Sequence, residues 1–276
     1  MPKVYVNGSL VNEDAATISV FDHGLVVGDG VFETILLHRG RPFALRRHLD
    51  RLARSADGLG IDCPARDVLE RAVKMTIDAS GQETGRIRIT LTAGRGPLGS
   101  GRFGESVTLV VAIGDLGEVH EVSAVATVPY RRNEFGALTG LKTTSYAENA
   151  LALAKAEEVD ADEAIFANTS GMLCEGTGSN VFVVLDGEVL TPPLSSGCLA
   201  GITRDLILEA GIGREVDIDL DNFSADRLDE AFLTSTLRGV QSIASIDGAA
   251  TQAAPGPITT KATELYNTLL ETTSEP

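Results

Sequence analysis

Lysine is scarce in this chain, and one of its five lysines stands apart. Lys3 opens a strand-like run, while Lys74, Lys155 and Lys261 fall in helical stretches beside other polar residues, where an ammonium is solvated. Lys142 lies in Thr139-Gly-Leu-Lys-Thr-Thr-Ser-Tyr-Ala-Glu, where Ser145 and Glu148 form an S-x-x-E pattern that predicts a helix start just after it. Partial desolvation near the positive end of a helix favours the neutral amine, the form that acts as a nucleophile. The same pattern also describes an ordinary solvated loop lysine.

Three further clusters carry chemistry-bearing residues. Glu175 enters Cys174-Glu-Gly-Thr-Gly-Ser-Asn-Val-Phe-Val-Val, which lacks the third glycine of a dinucleotide fingerprint and runs into a strand, so a Rossmann site is rejected. No P-loop pattern occurs either, and Glu175 by itself also reads as a turn residue. In Gly197-Cys-Leu-Ala-Gly-Ile-Thr-Arg-Asp-Leu-Ile-Leu, Thr203 is placed as the N-cap of an apolar helix whose first N–H groups suit a phosphate. Phe232-Leu-Thr-Ser-Thr-Leu-Arg ends a strand in three hydroxyl residues, which also donate to phosphates. The glycine-rich stretch 94–104 is too irregular for a tight hairpin and reads equally as a mobile surface loop.

The elements that must position these residues fall in two parts. Strand character at 3–6 and 31–37 is followed by helical spacing over 44–59 and 66–79, then by strands at 86–92 and 107–113. The polar, glycine-bearing stretch near residue 118 reads as a linker, which divides the chain into domains 1–114 and 122–276 with 115–121 between them. In the second part the pattern predicts strands at 122–128, 163–168, 181–185 and 188–191 and helices at 146–158, 203–211 and 259–271. Asp186-Gly187 predicts a tight hairpin turn between the last two strands. The fold class is therefore mixed α/β.

Composition narrows the partners. A formal charge of −16 repels phosphate backbones, so nucleic acid is not an expected partner. The four histidines show no metal-ligand spacing, and Cys63, Cys174 and Cys198 are too few and too scattered for a disulfide framework or a zinc site. No metal is expected, and the cysteines read as small buried hydrophobes. Without a membrane span or a secretion signal, the expected compartment is the cytoplasm.

Taken in order, the clusters resemble the fold-type IV pyridoxal-phosphate enzymes, the class IV aminotransferases. That family includes branched-chain and D-amino-acid aminotransferases and 4-amino-4-deoxychorismate lyases. The likeness runs from Phe21-Asp-His-Gly-Leu-Val-Val-Gly-Asp-Gly-Val-Phe-Glu-Thr through His48-Leu-Asp-Arg-Leu to Ser235-Thr236. It implies a small α/β N-terminal domain, a larger barrel-like C-terminal domain and a homodimer. It implies pyridoxal 5'-phosphate on Lys142 as a Schiff base, with Lys142 then moving the proton, and Glu175 paired with the pyridine nitrogen. By the same resemblance Arg51, Ile202, Thr203, Ser235 and Thr236 hold the phosphate, and Leu199 packs on the ring. One tension is internal: on a helical wheel Arg51 falls off the Leu45/Leu49/Leu52 stripe, so periodicity reads it as solvated.

The resemblance also frames the substrate. Related D-amino-acid enzymes have tyrosine at the position of Phe32 and an Arg-x-His pair in the following loop, where this chain has Arg95 and Arg102. The branched-chain pattern Phe-Glu-Gly-Ile-Arg is replaced by Phe32-Glu-Thr-Ile-Leu. The expected activity is transfer of an amino group between an amino acid, D-amino acids first, and a 2-oxo acid. The alternatives are the lyase, L-branched-chain transamination, and a cofactor- or metabolite-binding protein without turnover. Phe32 and, for the substrate carboxylate, Arg102 aided by Arg95 are the expected substrate residues, with Arg238 as the other candidate guanidinium.

Overall fold

The computed structural model describes residues 3–102 and 106–276, so the tip of the 94–104 loop at residues 103–104 lies outside the described residues. The chain divides into two compact units. The first holds Met1–Gly117, Leu141–Tyr146 and Thr273–Pro276, and the second holds Glu118–Gly140 and Ala147–Thr272. The first break falls inside the stretch read as a linker. The segment Leu141–Tyr146, assigned by sequence to the second part, instead belongs with the first unit, because its backbone pairs there.

In the first unit β1 (Lys3–Val6), β2 (Ser9–Asn12), a short α1 (His23–Val26), β3 (Gly30–His38), β4 (Arg41–Pro42), α2 (Leu45–Leu59), α3 (Arg66–Ser80), β5 (Gly85–Thr92) and β6 (Thr108–Gly114) follow in order. Among the described residues the strands form one antiparallel sheet in the order β2-β1-β6-β5-β3-β4. Period-two patterning sorts its faces. Ile87, Ile89 and Leu91 of β5 and Val31, Ile35 and Leu37 of β3 are fully buried in one core with Leu49, Leu52 and Ala56 of α2 and Leu69, Ala72 and Val73 of α3. Phe32, Thr34, Arg88 and Thr90 point to the other face, since Phe32 pairs in register with Thr90 and Thr34 with Arg88.

The second unit contains β7 (Val122–Arg132), α4 (Ala147–Glu157), β8 (Glu163–Asn168), β9 (Leu173–Gly176), β10 (Asn180–Leu185), β11 (Glu188–Thr191), α5 (Ile202–Glu209), β12 (Arg214–Glu215), β13 (Glu230–Ser235), β14 (Gly239–Ile246), β15 (Ala249–Ala250) and α6 (Pro257–Thr272). Among the described residues the strands make a sheet in the order β12-β11-β10-β13-β14-β7-β8-β9, with β15 on β14, and it curls into a half-barrel. The β10–β11 hairpin turns on Asp186 (φ 52°) and Gly187 (φ 76°), the two positive φ values that a two-residue primed turn needs. β7 runs four residues beyond its predicted end, because a register shift between Thr127 and Arg131 lets it pass Pro129 and resume pairing with β8.

Two helix-start readings change. Ser145 Oγ donates to the Gly28 carbonyl at 3.0 Å and Glu148 pairs with Arg132, so each has a partner other than the one the S-x-x-E pattern assigns. Gly201, not Thr203, is the N-cap of α5, with no side chain capping it, and Thr203 sits within the first turn. No helix among the described residues is long and apolar enough to cross a membrane, and none of their side-chain clusters could hold a metal ion.

Candidate functional site

Lys142 owes its position to β3 rather than to the start of α4. On the edge that β4 leaves open, Phe32 N donates to the Lys142 carbonyl at 3.0 Å, and Val31 bridges Thr143. From the other side Lys142 N donates to Ser55 Oγ of α2 at 3.1 Å. Its Nζ lies 4.4 Å from the Phe32 ring centroid and 5.9 Å from that of Tyr146, and the two rings meet edge to face at 5.3 Å. The amine is thus half-buried against aromatic surface.

Behind it lies a buried charge network that overturns the helical-wheel reading of Arg51. α2 buries two stripes: the apolar one, and a polar one of His48, Arg51 and Ser55. The polar stripe faces Glu33, which β3 projects toward the helix and which is 0% exposed. Arg51 Nε and NH2 donate to the two Glu33 oxygens at 2.7 and 2.8 Å, and His48 Nδ1 lies 2.7 Å from Oε2. Burial alone would raise the Glu33 carboxyl, but Arg51 and His48 hold it well below the usual carboxylate range. Burial also pushes His48 down, against the pull of Glu33, which favours a neutral ring donating to the carboxylate.

This network makes a stability prediction. A carboxyl depressed in the folded state contributes stability that is fully present above its ordinary value of 4.5 and is lost as pH falls below it. Glu33→Gln, which leaves the buried Arg51 charge uncompensated, is expected to cost about 3 kcal/mol near neutral pH. Urea unfolding should show the gap closing below pH 4.5, whereas a gap independent of pH would mean that Glu33 is not ionised in the fold.

No motif or spacing marks Arg88. The alternation of β5 marks it only as a residue of the more polar face, and solvent is the ordinary occupant of such a face. Its guanidinium carbon instead lies 3.3 Å from the Phe32 ring centroid, so it shares that ring with Lys142 Nζ. Its hydrogen-bond partner is Thr34 Oγ1 at 3.4 Å, and no carboxylate among the described residues lies within ion-pairing distance. Burial lowers its pKa to about 10. The loop arginines differ: Arg102 is tied to both Asp29 oxygens and to the Leu59 and Gly60 carbonyls at the end of α2, and Arg95 is exposed.

In the second unit Glu175 sits on β9, in register with Phe166 of β8, with a side chain 13% exposed. Its Oε2 accepts from Leu199 N at 2.9 Å, which joins two of the residues singled out by sequence. Arg132 Nε lies 3.2 Å from its Oε1. The two segments expected to donate to phosphate also meet. Tyr266 of α6 donates to the Thr236 carbonyl at 3.3 Å and bonds the Thr203 side chain, so its hydroxyl links the start of α5 to the β13–β14 turn. Gly239 allows this approach, since a Cβ there would lie 2.7 Å from the Tyr266 ring. Arg238 is engaged nearby with Glu163, Ser235 Oγ and Gln241.

The family model described as amino-transferase class IV matches residues 30–246, which spans both clusters. The chain belongs to the class IV aminotransferases. It is 35% identical to a putative branched-chain-amino-acid aminotransferase of Methanocaldococcus jannaschii, over 89% of this chain and 88% of that protein. It is 30% identical to a D-alanine aminotransferase of Bacillus licheniformis, over 99% of both. Among solved structures, the branched-chain aminotransferase of Thermoproteus uzoniensis superposes with a TM-score of 0.90 at 33% identity, covering 98% of this chain and 94% of that one.

Class IV aminotransferases use pyridoxal 5'-phosphate, and the residues of this one fit that group. The uncapped N-terminus of α5 offers first-turn N–H groups without intrahelical acceptors, as a phosphate requires. A Cβ at Gly201 would come within 1.9 Å of Asn180 Oδ1, so a larger residue there would displace the side chain that bonds the Leu199 carbonyl. Glu175 presents a half-buried carboxylate suited to a protonated ring nitrogen, and Lys142 a half-buried amine suited to a carbonyl.

Proposed function

We propose that this protein is an amino-acid aminotransferase that moves an amino group from an amino acid, D-amino acids first, to a 2-oxo acid, with Arg88 receiving the substrate carboxylate. The observation that carries the reading is a guanidinium stacked on the same ring as the Lys142 amine, with no carboxylate of its own. A carboxylate leaving water must be paired, and Arg88 is the cation placed to pair it beside the reacting amine. Arg102, by contrast, is already neutralised by Asp29.

When bound, pyridoxal phosphate supplies a ring that accepts the electron pair left as the α-proton departs. Lys142 would anchor the group covalently and, with an amino acid bound, would carry the proton at Nζ as general base and then general acid. Glu175 would hold a proton on the ring nitrogen, and Leu199, whose N–H holds Glu175, would pack on the ring. The N–H groups of Ile202 and Thr203 and the hydroxyls of Ser235 and Thr236 would hold the phosphate, and Arg51, the cation that the resemblance assigns to it, would do so from a position fixed by Glu33 rather than as its sole counter-ion. Phe32 closes the site against water on the side of Arg88. A second copy of the chain is the proposed partner, supported by the exposed apolar run Ile18, Val20, Phe21, Leu25 and Val27 of the first unit.

The preference for D-amino acids rests on β3. The branched-chain pattern has glycine and arginine where this chain has Thr34, which bonds Arg88, and Leu36, which is 6% exposed. L-branched-chain transamination is the second reading, favoured by the names of the Methanocaldococcus and Thermoproteus proteins. Half-reactions with D-alanine, D-glutamate, L-leucine and L-valine, followed through the cofactor absorbance, separate the two, and turnover of aminodeoxychorismate would favour a lyase. Arg88→Ala is expected to raise KM for the preferred amino acid about ten- to a hundredfold and to spare an amine that lacks a carboxylate. If Arg102→Ala has that effect instead, the carboxylate belongs on the loop.

A further inference from the structure

We propose that Arg132 is a positioning residue for Glu175, fixing the direction in which its carboxylate accepts a proton. The proposal rests on the reading of Glu175 as the partner of the cofactor's ring nitrogen.

The shift in register between Thr127 and Arg131 carries β7 far enough for Arg132 to pair with Asn168 and reach across the sheet. Its guanidinium carbon lies 4.0 Å from the centroid of Phe166, a ring that is 0% exposed. Phe166 and Glu175 are register partners, so their side chains leave the same face and the stacked guanidinium arrives against the carboxylate. The opposite edge of Arg132 is bonded to Glu148 at the start of α4. Ring and carboxylate together set the plane of the guanidinium, whose side chain is only 15% exposed.

The terminal torsion of a glutamate is soft, so one contact leaves its carboxylate free to turn. Here Leu199 N holds Oε2 and Arg132 lies against Oε1, from two directions. Charge points the same way: Arg132, Glu175 and Glu148 carry one net negative charge, which a protonated ring nitrogen would neutralise. Removing Arg132 would leave two carboxylates without the cation between them.

The test uses the holoenzyme with Arg132→Met, Arg132→Lys, Glu175→Gln and the Arg132→Met/Glu175→Gln double variant. Arg132→Met is expected to lower kcat about ten- to a hundredfold with KM changed less than about threefold, and Arg132→Lys to recover part of the loss. It should also displace the pH profile of the bound cofactor's visible band. In the Glu175→Gln background the same change should cost less than about twofold, because its target is already gone. Equal losses in both backgrounds, with a lower urea midpoint, would overturn the proposal by showing that Arg132 acts through the fold. An unaffected Arg132→Met beside an impaired Glu175→Gln would overturn it while leaving the role of Glu175 intact. If neither variant is impaired, the reading of Glu175 itself falls.

Discussion

Lys142→Ala is expected to lower transamination by about four powers of ten or more while leaving the fold in place. The two expectations come from different parts of one residue. The backbone of Lys142 does the structural work, through the bonds from Phe32 N and to Ser55 Oγ, and alanine keeps both. The side chain is half-exposed, so its loss opens no sealed cavity. What disappears is the amine on the Phe32 ring, to which the proposed mechanism gives both the covalent anchor and the movement of the proton. Urea unfolding and single-turnover kinetics should therefore part company. Borohydride treatment of the parent should attach the cofactor to Lys142 irreversibly, and a variant that retained substantial turnover would remove Lys142 from the centre of the reaction.

Glu175→Gln is expected to lower kcat by about two to four powers of ten, equivalent to roughly 3–5 kcal/mol of barrier. In the proposed mechanism Glu175 stands opposite the ring nitrogen, and losing its charge would weaken the electron sink. The structure adds a second consequence. Glu175 accepts from Leu199 N at Oε2 and ion-pairs through Oε1 with Arg132 Nε at 3.2 Å, without a hydrogen bond there, so an N–H group faces each oxygen. A glutamine has one acceptor oxygen, so its amide N–H must face one of those donors. Leu199, expected on the ring, then loses its backbone tether or Arg132 loses its partner. Cofactor affinity should therefore fall along with kcat, and rates measured at saturating cofactor separate the two effects. A variant as fast as the parent at saturation would exclude Glu175 from the chemistry.

Much of the framework was legible before any coordinates. Period-two alternation located β5, and apolar spacing located α2 and α3 within a residue or so, because burial on one face imposes those periods. The strand runs read at 163–168 and 188–191 coincide with β8 and β11, and Asp186-Gly187 marks the turn from β10 into β11. β2, β4, β9 and β12 carry no such signal: they are two to four residues long, their composition does not alternate or cluster, and they exist because a neighbouring strand pairs with them.

The sequence by itself determined the family, the residue types able to do the chemistry and the order in which they occur, because those depend on local motifs and spacing. Tertiary structure decided what each charge faces. Arg51 looked solvated on its helix, yet β3 brings Glu33 against it and buries both. Arg102 looked free for a carboxylate, yet Asp29 and the end of α2 already hold it. Arg88 looked like an ordinary residue on the polar face of a strand, yet Phe32 and Lys142 crowd that face. In each case the partner lies many residues away, and the free energy of a charge is set by what faces it across the fold, which no local pattern encodes.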